Sequence, residues 1–273
     1  MPEPEIAHGT LHSDMPFLRL GSGRPLVFLP GITPHHRQPS GSEARFQLRQ
    51  LRPLAEGRQV WWVNRRPGLA QHVTMAGLAA DYAGAVHHLR FTGPVDVVGV
   101  STGGSIALQL AADHPDTVRK LVVVSAAYRL GDAGREAQRQ AAAWLRAGRP
   151  RRAAATVMRM LGTGPLSRGT LGACGWLAGK GVLGDGDPDV LATIGAEDQF
   201  DLESRLGDIA APTLVAGGAR DSFYGEELFT RTAALIPKAE LTLYPGKGHL
   251  STHVHEVAAD VLAFLAPDGD GGP

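Results

Sequence analysis

The chain has 273 residues, enough to bury a two-sided sheet core as one large α/β domain or as a slightly smaller one carrying an insertion. Apolar residues at 43% and charged residues at 20% exclude a disordered chain and a membrane-embedded one. Lys plus Arg equals Asp plus Glu at 27 each, so no global field gathers nucleic acid or an anionic membrane. A local cluster, Arg146, Arg149, Arg151, Arg152 and Arg159, reads as a solvated helical face, with an anion or partner site as the alternative. Cys174 is the only cysteine, which excludes an intramolecular disulfide and a thiolate metal cluster. The acidic start MPEPEIAHGT lacks the parts of a signal peptide and no apolar stretch reaches spanning length, so a cytoplasmic protein without a membrane partner is expected.

In chain order, residues 8 to 20 alternate partially and end in Gly-Ser-Gly, which predicts an edge hairpin strand and a turn. PLVFLPG, Pro25 to Gly31, is a continuous apolar run of the kind buried on both faces of a parallel sheet. A Gly, Pro and His-rich loop follows, then a helix over 42 to 54 and the strand VWWVN, Val60 to Asn64. MAGLAADYAGAVHHL carries a helical apolar stripe, PVDVVGV a strand, SIALQLAADH a helix and KLVVVSA another strand. This βαβαβ alternation implies a mostly parallel sheet with helices on both sides. Between Tyr128 and Asp208 no convincing strand occurs, and helical runs there predict a cap or lid insertion. The core resumes with PTLVAGG, Pro212 to Gly218, a helix near Glu226 to Leu235, the strand AELTLYP and a last helix. The expected divisions are core over 1–127, helical cap over 128–208, core over 209–267 and a tail over 268–273. No internal repeat is present.

Gly99-Val100-Ser101-Thr102-Gly103 has the form G-x-S-x-G between a strand and a helix. Such a turn strains the serine backbone, exposes the hydroxyl and aims a helix N-terminus at developing negative charge. A serine at neutral pH needs a base and an orienter. His249 in GKGHL and Asp221 in GGARDSFYG both follow strands, hence lie at the end of the sheet where ligands bind. The order Ser, Asp, His suits this architecture. Asp198, Asp201 and Asp208 are the competing acids. The oxyanion donors expected are the amides of Thr102, after the nucleophile, and Ile32, after Pro30-Gly31. Gly31, Phe223 and Tyr224 are placed beside the site, and Trp144, Met158, Met160 and Trp176 of the insertion are candidates for an apolar pocket wall or plain packing. His35 and His36 are candidates for the pocket entrance or for solvated loop histidines, and His253 and His255 for caps of the last helix. No cofactor or metal is implied, since no helical histidine pair with an intervening acid occurs.

These residues resemble the α/β-hydrolase family, above all its capped serine members with esterase, lactonase and C-C hydrolase activity. The resemblance runs from FLRLGSGRPLVFLPG to GKGH. Pro30-Gly31 stands where the family usually has His-Gly, Thr102 where many relatives have Met, and NRRPG resembles the family's D-x-R-G-x-G turn. It implies a mostly parallel sheet flanked by helices with a helical cap, and a Ser-His-Asp serine hydrolase for a small to medium, partly hydrophobic ester or lactone. A C-C hydrolase, a lyase, a thioesterase docking an acidic carrier protein on the cap arginines, and a non-catalytic binding protein are the alternatives. The oligomeric state is left open.

Overall fold

In the computed structural model, which describes residues 6–249 and 255–266, the chain opens with β1 (Ala7–Thr10) and β2 (Pro16–Leu20), an antiparallel pair. Six strands follow: β3 (Arg24–Leu29), β4 (Arg58–Val63), β5 (Val95–Val100), β6 (Val118–Val124), β7 (Thr213–Gly218) and β8 (Ala239–Tyr244). They run parallel to one another, and the sheet order is β1-β2-β4-β3-β5-β6-β7-β8. Helices α1 (Gly41–Leu54), α2 (Met75–His88) and α3 (Thr102–Asp113) connect the first parallel strands. Between β6 and β7 stand α4 (Asp132–Arg146), α5 (Pro150–Met160), α6 (Pro165–Ala178), α7 (Lys180–Leu183) and α8 (Pro188–Asp198), the helical cap insertion. Helices α9 (Glu226–Leu235) and α10 (His255–Leu265) flank β8.

Side chains alternate across a strand, so a continuous apolar run fills two cores at once. Val27 and Leu29 of β3 join α2, α3 and α9 in one cluster, while Leu26 and Phe28 join α1 and α10 in the other. Val97 and Val98 of β5 divide the same way. The cap has its own cluster, in which Ala141, Leu145, Ala153, Leu183, Val190 and Ile194 are buried, and Ile32 of the core packs against it.

Strand order reverses about β3, whose neighbours are β4 and β5, so the chain leaves β3 and β5 in divergent directions and opens a crevice at their carboxyl ends. The opposite end of the sheet is closed by charge. Asp96 is fully buried, with Arg58 and Arg119 each 2.6 Å from it. Arg58 also donates to the carbonyl of Leu265, Arg119 to the same carbonyl at 3.4 Å, and Lys120 to Phe264 O at 3.1 Å and Ala266 O at 3.0 Å. Three cations thus meet the carbonyl end of α10, where the helix dipole favours them. Removing Asp96 would leave Arg58 buried without its anion. Asp96→Ala is expected to lower the unfolding free energy by about 3 kcal/mol in urea titration while the far end of the sheet, and any reaction there, is unchanged.

Candidate active site

One residue turns the chain between β5 and α3. Ser101 has φ 52° and ψ −125°, a backbone region that non-glycine residues occupy only at a cost. Its amide donates to Val124 O at 2.9 Å, and its carbonyl accepts from Gly104 at 2.7 Å and Ser105 at 3.1 Å, which hold the strained turn from both sides. A Cβ on Gly99 would come within 2.7 Å of Ala107 Cβ, and one on Gly103 would collide with the carbonyl of Leu29, so the turn closes only with glycine on each side of the serine.

Loops after β7 and β8 bring two more groups to this turn. His249 Nε2 lies 2.9 Å from Ser101 Oγ, and its Nδ1 lies 2.8 Å from Asp221 Oδ2. Asp221 is buried, and its other oxygen accepts the Phe223 amide at 2.8 Å and the Tyr224 amide at 3.3 Å. The carboxylate is thereby fixed with one oxygen aimed at the imidazole. Rings of Phe223 and Tyr224 sit 4.6 and 5.9 Å from the His249 ring, and Ser125 Oγ donates to His249 O at 3.3 Å. An imidazole bridging a hydroxyl and a carboxylate in this way can accept the hydroxyl proton and have the resulting charge stabilised.

The competing acids are engaged elsewhere. Asp198 pairs with Arg139, Asp208 with Arg205, and Asp201 accepts from the Glu203 amide.

Gly31 runs alongside Ser101: a Cβ there would lie 3.3 Å from Ser101 Cβ and 3.9 Å from its Oγ. The loop beyond it is held by Arg65, buried to 1% exposure. Its guanidinium donates to Pro30 O at 3.2 Å, Gly31 O at 2.9 Å, Thr33 Oγ1 at 3.1 Å and His36 Nε2 at 3.1 Å. Burial pulls the Arg65 pKa down from its ordinary value, with Tyr82 and Glu197 acting in the other direction. His36 is buried rather than solvated, its Nδ1 3.0 Å from Arg66 O. Burial first, and Arg65 second, lower its pKa to about 3, so the ring is neutral and accepts from the guanidinium.

Glu197, in α8 of the cap, is a fully buried carboxylate that sequence reasoning missed. It accepts from Thr102 Oγ1 at 2.8 Å, Ser105 Oγ at 3.1 Å, Gln138 Nε2 at 3.0 Å and Tyr224 OH at 3.2 Å. Burial, with the charge of Glu197 next, raises the Tyr224 phenol well above its ordinary pKa and keeps it a donor. At the other end of the same helix, Asp189 accepts the amides of Gly68 at 2.9 Å and Leu69 at 2.6 Å. The cap is therefore bolted to the core through α8.

Other candidates from the insertion lie at helix contacts. Trp144 is partly buried under Arg149 and Arg152, Met158 meets α6 at Gly175, and Trp176 is 47% exposed with Arg151 over its ring at 4.8 Å. His253 falls outside the described residues, and His255 begins α10.

The profile of the alpha/beta hydrolase family matches residues 26–263, from within β3 to within α10, and so spans the parallel strands and their connections. The chain belongs to that family. Among alpha/beta hydrolases it is 30% identical over 246 residues to RutD of Variovorax paradoxus, a protein named for carbamate hydrolysis, covering 83% of this chain and 88% of the relative. With RutD of Caulobacter sp. strain K31 it is 31% identical over 195 residues, 62% of this chain and 65% of that protein's length. In three dimensions it is similar to the enol-lactonase of Burkholderia xenovorans (TM-score 0.77, 18% identity, 96% of this chain and 100% of that one). A thermophilic esterase of Thermogutta terrifontis gives a TM-score of 0.73 at 22% identity, over 96% and 98% of the two chains. Those two likenesses establish the shared fold.

Because His36 is neutral when folded and titrates near 6.5 when unfolded, the unfolded state gains a proton first as pH falls. Stability is expected to drop through this group by on the order of 3 kcal/mol between pH 6.5 and pH 4. In His36→Gln, which can still accept from Arg65, urea titrations across that range should show a correspondingly flatter loss.

Proposed function

We propose that the protein is a serine hydrolase that cleaves a carboxylic ester or lactone of small to medium, partly hydrophobic character through a Ser101–His249–Asp221 triad. The observation that carries this reading is the continuous hydrogen-bonded chain from Ser101 Oγ through His249 to Asp221, built on a strained turn. In this mechanism Ser101 Oγ attacks the substrate carbonyl carbon as His249 Nε2 takes its proton. Asp221 accepts from Nδ1–H and stabilises the imidazolium. The protonated His249 then gives its proton to the leaving alcohol oxygen, and an acyl ester on Ser101 remains. Water, deprotonated by the same histidine, attacks that ester and releases the acid.

The oxyanion formed at each attack is assigned to the amides of Thr102 and Ile32. A trans peptide holds C=O and N–H antiparallel, so Arg65, by fixing Gly31 O, turns the Ile32 N–H to the opposite side of the peptide. With Pro30 standing where the family usually has histidine, this guanidinium is the side chain that holds the loop. Glu197 does the corresponding work for Thr102 by holding its side chain, and through Tyr224 it steadies the ring stacked beside His249. Both are positioning residues, since neither reaches the reacting atoms.

A second reading, carbamate hydrolysis, is favoured by the RutD likeness over most of the chain. The same triad attacks a carbamate carbonyl, with a nitrogen or oxygen leaving group accepting the His249 proton.

Initial rates on chromogenic acyl esters of increasing chain length, with a matched chromogenic carbamate, test both readings. Wild-type protein should turn over at least one series, and Asp221→Ala should lose roughly 10⁴-fold in kcat while remaining folded. Inert folded wild-type protein, or near-normal turnover by Asp221→Ala, would contradict the mechanism. Glu197→Ala is expected to lower kcat on the order of 10²-fold with little change in KM, because it displaces an oxyanion donor without touching bound substrate. Glu197→Gln, which keeps an acceptor for Thr102, should recover part of that loss, and a change confined to KM would count against the positioning role.

A further inference from the structure

The outer surface of the cap is unlike the rest of the molecule. Along α6 only Gly172 and Gly175 are buried, and both face α5, where Gly175 closes on Met158 and Gly172 on Arg159. At 3.6 residues per turn, the exposed positions Trp176, Gly169, Ala173, Leu166, Leu177 and Thr170 lie in that order around one continuous arc. Leu166 is 86% exposed, Leu177 76% and Trp176 47%, and the one hydroxyl of the arc, on Thr170, donates back to Leu166 O. No charge interrupts it. Arg168, the helix's single ionic side chain, is turned to Gly162 O and to Ser222 Oγ. An outward helix face in water ordinarily carries charge, so this one is suited to being covered.

The surrounding charge indicates by what. From Ala137 to Gly184 the chain has eight Arg or Lys residues and no Asp or Glu. Arg146, Arg149, Arg151, Arg152, Arg159 and Arg168 form no ion pair among the described residues, and Arg151 stacks directly over Trp176. The net charge of zero arises because the remainder of the chain offsets these cations, so it does not weaken their local field. A two-fold contact between copies would press one all-cationic segment against another. An exposed apolar helix face with an aromatic residue on its flank, Arg151 stacked on that residue and further unpaired arginines on the neighbouring α5 instead matches the interface of an anionic bilayer.

We propose that the outer face of α6 docks this protein on the surface of an anionic lipid membrane. The docked orientation has a consequence for the site. Leu161 and Thr163, in the turn leading into α6, lie against Gly248, and Arg168 reaches Ser222, so the apolar helix begins beside the histidine and acid loops. A surface-bound molecule holds the edge of its active site close to the lipid, where apolar substrates partition. Docking does not depend on which bond the site cleaves.

The test is co-sedimentation of the full chain with vesicles of phosphatidylcholine alone or mixed with phosphatidylglycerol, at low and high salt. Sedimentation velocity and a soluble chromogenic ester assay are run on the same preparations. Wild-type protein should pellet with the phosphatidylglycerol vesicles, less so at high salt, and stay in solution with phosphatidylcholine. The double variant Leu166→Asp/Leu177→Asp should lose vesicle binding and hydrolyse the soluble ester at the wild-type rate, and Arg151→Gln/Arg159→Gln should weaken binding through the salt-sensitive component. Folded wild-type protein that ignores anionic vesicles would overturn the proposal. So would equal pelleting of the aspartate variant, a stable dimer abolished by that variant, or binding to an acidic carrier protein in place of vesicles. A wrong assignment of the reaction would show only in the ester assay and leave pelleting as expected.

Discussion

Everything at the carboxyl end of the sheet is referenced to the backbone of Ser101. A non-glycine residue at φ 52° persists only when its surroundings over-determine it, and here Val124 O, the Gly104 and Ser105 amides and two tight glycine contacts do so. The consequence is geometric. With the turn locked, the serine hydroxyl cannot withdraw into the sheet, and the loops after β7 and β8 need only place an imidazole and a carboxylate in line with it. The reversal of strand order about β3 then sets Gly31 against the same serine, so the Ser101 turn and the loop after β3 come from adjacent strand ends.

A second layer holds that arrangement from outside. Arg65 grips the loop after β3 through four donors, and Glu197 collects four donors from α3, α4 and the acid loop. Each is a buried ion satisfied by neutral partners, an arrangement that is stable only when every hydrogen bond is made. Glu197 belongs to the cap, and Asp189 of the same helix secures the turn after β4. The cap is thus a structural participant in the site. In the reading proposed above, cap docking and assembly of the oxyanion donors are one event.

The apolar runs were legible because strands buried on both faces leave continuous Val and Leu, and β3, β5, β6 and β7 follow that signal closely. Ser101, Asp221 and His249 were legible because short motifs at strand ends mark where a loop must present a side chain, and the structure joins all three by hydrogen bonds. Glu197 was not, because an acid at the end of an apolar helix reads as ordinary solubility, and its partners come from residues 102, 105, 138 and 224. The same holds for His36: a histidine in a Gly and Pro-rich loop looks solvated until Arg65, from the turn after β4, encloses it. Long-range polar networks leave no periodic trace in the chain.

The central claim is that Ser101 is the activated nucleophile, and covalent capture tests it without knowledge of the substrate. A fluorophosphonate probe should add one phosphonyl group to the folded wild-type protein, seen by intact mass and mapped to the peptide holding Ser101, with no adduct on Ser101→Ala. Labelling that persists in Ser101→Ala, or a folded wild-type protein that takes up no probe, would contradict the account.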